Sequence, residues 1–209
     1  MPPQSTIAAT VEHTIQAFCL DFLVEPYLCY TEHGLHALFY TKLYNALRPD
    51  QRYTIWNSRK VCVLQKEYPT AGSLSKPRRQ HWDVAVIATP PHNSANKEPA
   101  YDYLRLAAVI EFGLNEAKAH LQDDIERISH PEANLDNGYV VHLYRLSGAE
   151  HLFSGRDWPS ESAQICPKGQ VAELVANKSV TVYYGVWDGS GKYEPGLWRV
   201  DCSGVAKVR

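Results

Sequence analysis

The sequence predicts an α/β fold, a mixed sheet flanked by helices. Three observations carry this. An unbroken apolar run covers residues 106–110, an amphipathic stretch at 115–129 follows it, and strand-like and helix-like runs alternate along the rest of the chain. An unbroken apolar strand is covered on both faces and so sits centrally in a sheet. A helix that follows such a strand brings the apolar layer that covers it.

The elements read in order as follows. Residues 6–24, "TIAATVEHTIQAFCLDFLV", are helical, with Ile7, Val11, Ile15, Phe18 and Phe22 about a turn apart, and Pro26 ends the run. Thr31 can cap a second helix, "EHGLHALFYTKLYNAL", which stops before Pro49. "RYTIW" and "KVCVLQKE" are strand-like, and "EYPTAGSLSKPRRQ" is a loop. "HWDVAVIAT" is a strand, "PPHNSANKEPAYD" a second loop, and "RLAAVIEF" the central strand. "NEAKAHLQDDIERIS" is a helix with Asn115 as its cap and Ala117, Leu121, Ile125 and Ile128 as its apolar stripe. "GYVVHLYRL" is a strand, "QVAELVAN" a weaker helix and "SVTVYYGVW" another strand, and "GSGKYEPGLWRV" closes with a turn and a short strand. One domain over 1–209 is expected, with an N-terminal helix at 6–24, a core at about 28–146 and a C-terminal α/β extension at 147–209.

Composition narrows the class. The hydrophobic share of 44% and charged share of 21% are ordinary for a soluble globular chain. A net charge of −2 gives no overall electrostatic footprint for nucleic acid, although "KPRRQH" is a local basic patch suited to phosphate. No apolar run reads as long enough to cross a bilayer, and the N-terminus has no basic-then-apolar leader. Five widely spaced cysteines, with no Cys-x-x-Cys, fit free thiols in a reducing, cytoplasmic setting.

The acids carry the chemistry. Side chains alternate along a strand, so Asp83 and Glu111 each end an otherwise apolar strand face. An ionised carboxylate is costly to bury without a partner, and two on neighbouring strands repel unless a cation lies between them. Glu32 starts the stripe Glu32, Leu35, His36, Phe39 and Leu43, so it faces the sheet if that stripe does. Taken singly, each acid has a plainer role: Glu111 can pair with Arg105 or Arg127, Asp83 can be a turn acid, and Glu32 suits any first helical turn. His33 and His36 lie three apart and could touch one ion, but the sequence suggests no third ligand.

These pieces resemble a family. Glu32 on an early helix, "QKEYPT", "RRQHWDVAVI" and "AAVIEFGLNEAKAHLQDDIERI" resemble the core of the PD-(D/E)XK nuclease-like, or restriction-endonuclease-like, superfamily. The resemblance spans residues 28–146 and implies an αβββαβ core, a divalent metal (Mg2+ or Mn2+) and hydrolysis of phosphodiesters in DNA or RNA; no membrane partner is expected, from the lack of a spanning apolar run. It implies Asp83, Glu111 and Glu32 as metal carboxylates, Glu111 and Glu32 also having catalytic roles, and it matches Glu67 to an acid before the variable loop. Two positions depart from the pattern: Trp82 replaces the proline, and Gly113 replaces the motif lysine of Glu-x-Lys. That lysine would share a face with Glu111 beside the phosphate. Its role could have moved to Lys118, or to Gln65 or Lys66 on the neighbouring strand, or hydrolysis could be lost, leaving a binding or assembly module on the same scaffold.

Overall fold

A computed structural model describes residues 6–70, 74, 78, 80–90, 104–146 and 168–209. Half of the basic patch, including Lys76 and Arg79, therefore lies outside the described residues, as does most of the second loop. Helix α1 (Ile7–Val24) is capped by Thr6, whose Oγ1 accepts the Ala9 N–H at 3.2 Å. Helix α2 (Glu32–Ala46) is capped by Thr31, whose Oγ1 accepts the Gly34 N–H at 3.0 Å. Each cap satisfies one of the amides that a helix start leaves without a partner.

A hairpin of β1 (Tyr53–Trp56) and β2 (Arg59–Cys62) forms a separate two-stranded sheet. Asn57 and Ser58 turn it, both with positive φ. The main sheet contains β3 (Leu64–Pro69), β4 (His81–Ile87), β5 (Leu106–Leu114), β6 (Gly138–Leu146), β7 (Thr181–Asp188), β8 (Gly196–Asp201) and β9 (Gly204–Lys207), in that spatial order. Strands β3, β4 and β5 form an antiparallel meander. Helix α3 (Lys118–Ile128) crosses to β6, parallel to β5, and α4 (Lys168–Val175) precedes β7, parallel to β6. Strands β8 and β9 are antiparallel additions, so the described C-terminal part extends the sheet.

Helices cover both faces. Adjacent residues of β7 show this, because Tyr183 bonds to Glu12 and Gln16 of α1 while Tyr184 stacks towards Tyr144 and Trp198, over which Lys168 of α4 lies. On the α1–α2 face, Phe18, Phe39 and Phe112 meet edge-on or tilted at 5.2–5.9 Å between centroids. Full burial of each such ring contributes about 1.5–3 kcal/mol. Arg145 of β6 reaches to the connection between α1 and α2, donating to the carbonyls of Pro26, Cys29 and Tyr30 at 2.9, 2.8 and 3.1 Å. That fixes where α2 begins, and hence where Glu32 sits.

Four expectations change. "KVCVLQKE" is not one strand: the chain leaves the hairpin at Cys62, and buried Val63 passes it to the main sheet, accepting the Ile87 N–H at 2.8 Å. Asn115 does not cap α3. It takes a left-handed conformation, φ 58°, its Oδ1 accepts the Arg145 N–H at 2.7 Å, and the cap position falls on Ala117. Strand β9 had no clear signal, since all four of its residues are exposed. Helix α1 is, by length and composition, apolar enough to cross a bilayer, although polar residues break its apolar run in the sequence. Here Val11, Ile15, Phe18, Cys19 and Phe22 are buried against the protein core.

Candidate functional site: a carboxylate cluster at the end of strands β4 and β5

The pairing of β4 with β5 stops at Val84↔Ile110. Beyond it, two β5 amides take carboxylates instead of a strand. Asp83 Oδ2 accepts the Phe112 N–H at 2.8 Å, and Glu32 Oε2 accepts the Leu114 N–H at 3.1 Å. Side chains from a strand and a helix thus complete the edge the ladder leaves open. Asp83 is the link between the sequence-predicted acids, its charge raising the pKa of both Glu32 and Glu111, but the ligand oxygens of the three do not all lie within 4.8 Å of one another.

Their environments differ. Glu32 is partly exposed; burial pushes its carboxyl up while the Leu114 amide pulls it down. Glu111 is 2% exposed. Burial, and then the Asp83 charge, hold it well above the usual carboxylate range, and Arg127 opposes both. Arg127 Nη2 lies 3.1 Å from Glu111 Oε2 and 2.7 Å from Asp124 Oδ1, so one guanidinium serves two buried acids. Burial also lifts Asp124, to about 6. Glu111 Oε1 meets no donor among the described residues, although the Glu111 carboxyl lies within hydrogen-bonding range of that of Asp83, a pair that one shared proton would join. The plainer role for Glu111, pairing with Arg127, is therefore present on one oxygen and absent from the other. Arg105 instead bonds Asp136 at 2.7 Å.

Histidines line the site, which the reading of the acids did not foresee. His36 is buried, with Nε2 3.6 Å from Asp83 Oδ2 and 3.9 Å from Glu32 Oε1. Burial lowers its pKa although Asp83 works against that. His120 Nδ1 lies 3.3 Å from Asp124 Oδ2. His142 of β6 stands beside Gly113 in register. A Cβ at position 113 would sit 2.4 Å from His142 Cδ2 and 2.6 Å from Nε2. The space a side chain at position 113 would need is filled by a buried imidazole whose pKa burial lowers to about 3. The only sequence trace of this is a histidine inside an apolar strand.

The candidates for the missing lysine separate. Lys118 Nζ donates to Gln170 Oε1 of α4 at 2.8 Å, and Gln65 Nε2 donates to the Cys62 carbonyl at 2.7 Å. Lys66 Nζ lies 3.6 Å from Glu67 Oε1, and its charge is felt at His36. Chemically, the arrangement offers oxygen donors from Asp83, Glu111 and Glu32, a neutral imidazole beside them, and cations at Arg127 and Lys66. The chain is thus a mixed α/β protein with acids gathered at one end of its meander. No protein-family model, characterised protein or solved structure matches it.

Proposed function

We propose that this is a nuclease-like protein of the PD-(D/E)XK type, in which Asp83, Glu111 and Glu32 hold Mg2+ or Mn2+ for phosphodiester hydrolysis in DNA or RNA. The run of helix, three-strand meander, helix and parallel strand in α2, β3–β5, α3 and β6 supports the αβββαβ reading. One observation carries the site: Asp83 lies within electrostatic reach of both Glu32 and Glu111, and buried Glu111 Oε1 meets no donor among the described residues. A buried oxygen of this kind calls for a proton, a water or a cation. Carboxylate oxygens are the hard donors that Mg2+ takes, one or two of them alongside water and substrate phosphate.

When bound, the cation would polarise the phosphodiester and lower the pKa of a bound water. The chain's own residues do the rest. The Phe112 and Leu114 amides fix the Asp83 and Glu32 carboxylates before any ligand arrives. Arg127 holds one Glu111 oxygen, and the Glu111 carboxyl also meets that of Asp83. Lys66 is the amine best placed for the lysine's role, since Lys118 is engaged with Gln170.

A second reading has its own support. His142 walls off the space at Gly113, and Glu111 carries an arginine, as in a scaffold that has given up hydrolysis and serves as a binding or assembly module. Plasmid nicking with Mg2+ or Mn2+ separates the two. The nuclease reading expects metal-dependent nicking that Asp83→Asn and Glu111→Gln each reduce at least ~100-fold and Lys66→Ala reduces less. Well-folded wild type with no nicking supports the module. Equal nicking by all four proteins identifies a contaminant and removes the catalytic assignment.

A further inference from the structure

We propose that His33, His36 and Glu67 form a second metal site, built for a borderline transition ion such as Zn2+ rather than Mg2+. One ligand atom from each residue lies within 4.8 Å of the other two. The two histidines are a turn apart on α2, with ring centroids 5.5 Å apart. Glu67 completes the set from β3. It takes a left-handed conformation, φ 53°, between Lys66, paired with Val84, and Tyr68, paired with Trp82. This left-handed turn of the strand, with the register on either side unbroken, supplies the third ligand that the sequence did not reveal.

A separate observation points to a ligand. His36 is 1% exposed and neither ring nitrogen has a hydrogen-bond partner. A buried imidazole without a partner is costly, and an ion on one nitrogen relieves that cost. Its Nε2 faces Asp83 and Glu32, so ligation through Nδ1 would leave the other N–H aimed at carboxylates, which commonly fix the tautomer of a ligating histidine. His33 and Glu67 are exposed, so the site opens to solvent. Ligand atoms around a four-coordinate Zn2+ lie about 3.4 Å apart, so rotation of these two exposed side chains closes the set. Lys66 gives up its contact with Glu67 as the ion arrives. Two imidazoles and one carboxylate leave a fourth position for water, and that donor set favours Zn2+, Co2+ or Ni2+ over Mg2+.

The site does not depend on Glu111, so its test separates from that of the nuclease reading. Full-length, metal-stripped protein is titrated with Co2+ as a visible-absorption probe and then with Zn2+ in competition. One equivalent of Co2+ with nitrogen- and oxygen-ligand bands is expected, displaced by Zn2+ and indifferent to excess Mg2+. His33→Ala and Glu67→Ala weaken binding more than about 10- to 100-fold, and Glu111→Gln leaves it intact. Should either variant misfold, Zn2+-induced NMR shifts of the His33 and His36 rings in wild type decide the matter. Absent stoichiometric binding, thiolate charge-transfer bands, equal competition by Mg2+, unchanged binding in both variants or unshifted rings each overturn the site.

Discussion

Replacing Gly113 with alanine is expected to destabilise the protein, against the usual direction for a strand. A Cβ there would lie 2.4 Å from His142 Cδ2. Carbon atoms prefer about 3.5–4.0 Å, so the overlap exceeds ~1 Å. The ring has little room to withdraw: it is fully buried and packs 5.2 Å from Tyr144 and 6.4 Å from His120, centroid to centroid. Overpacking of a well-filled site costs about 1–3 kcal/mol. Removing a strand glycine returns about 0.5–1 kcal/mol. The net loss for Gly113→Ala is therefore about 0–2.5 kcal/mol, centred on about 1 kcal/mol. His142→Ala opens the space, so adding Gly113→Ala to that variant costs nothing or stabilises. Urea unfolding of the four proteins in this cycle should give a coupling of at least ~1 kcal/mol in the rescuing direction, at unchanged m. Effects that add within about 0.5 kcal/mol would refute the claim that His142 fills the space beside Gly113.

Two further outcomes follow from the buried charges. Arg127→Met strands Glu111 and Asp124 without their shared cation and should cost about 3–5 kcal/mol, while Glu111→Gln, which mimics the protonated acid, should cost less than ~1.5 kcal/mol; thermal or urea unfolding compares them, and equal losses would contradict the shared ion pair. The second concerns acid. His142 is lowered to about 3 in the folded protein against an ordinary 6.5, so the unfolded chain binds the extra proton between those values, and the contribution present above pH 6.5 is lost as pH falls towards 3. Raised Asp124, at about 6 against 3.8, works in the opposite sense, stabilising the fold as pH drops through that window. Comparison with His142→Gln isolates the histidine: the wild type should lose about 2–3 kcal/mol relative to the variant between about pH 7 and pH 4.5, and parallel curves would reject a neutral buried His142.

Much of the molecule was legible in the chain because it rests on local pattern. Thr6 and Thr31 announce two helices through cap chemistry, the 3.6-residue spacing of Val11, Ile15, Phe18 and Phe22 picks the buried face of α1, and the apolar run of β5 gives its interior place in the sheet. Strand alternation singled out Asp83 and Glu111 as acids ending apolar strand faces, and helical spacing placed Glu32 on the sheet-facing stripe of α2. The sequence does not hold the contacts between distant segments. Glu111 meets both Arg127 and Asp83, His142 fills the space beside Gly113, Lys118 turns to Gln170, and Glu67 swings towards His33 and His36. Each of these depends on strand register, a left-handed strand residue or a helix docking angle. Such features are set by packing across the whole sheet, where a displacement of one residue sends a side chain to the opposite face.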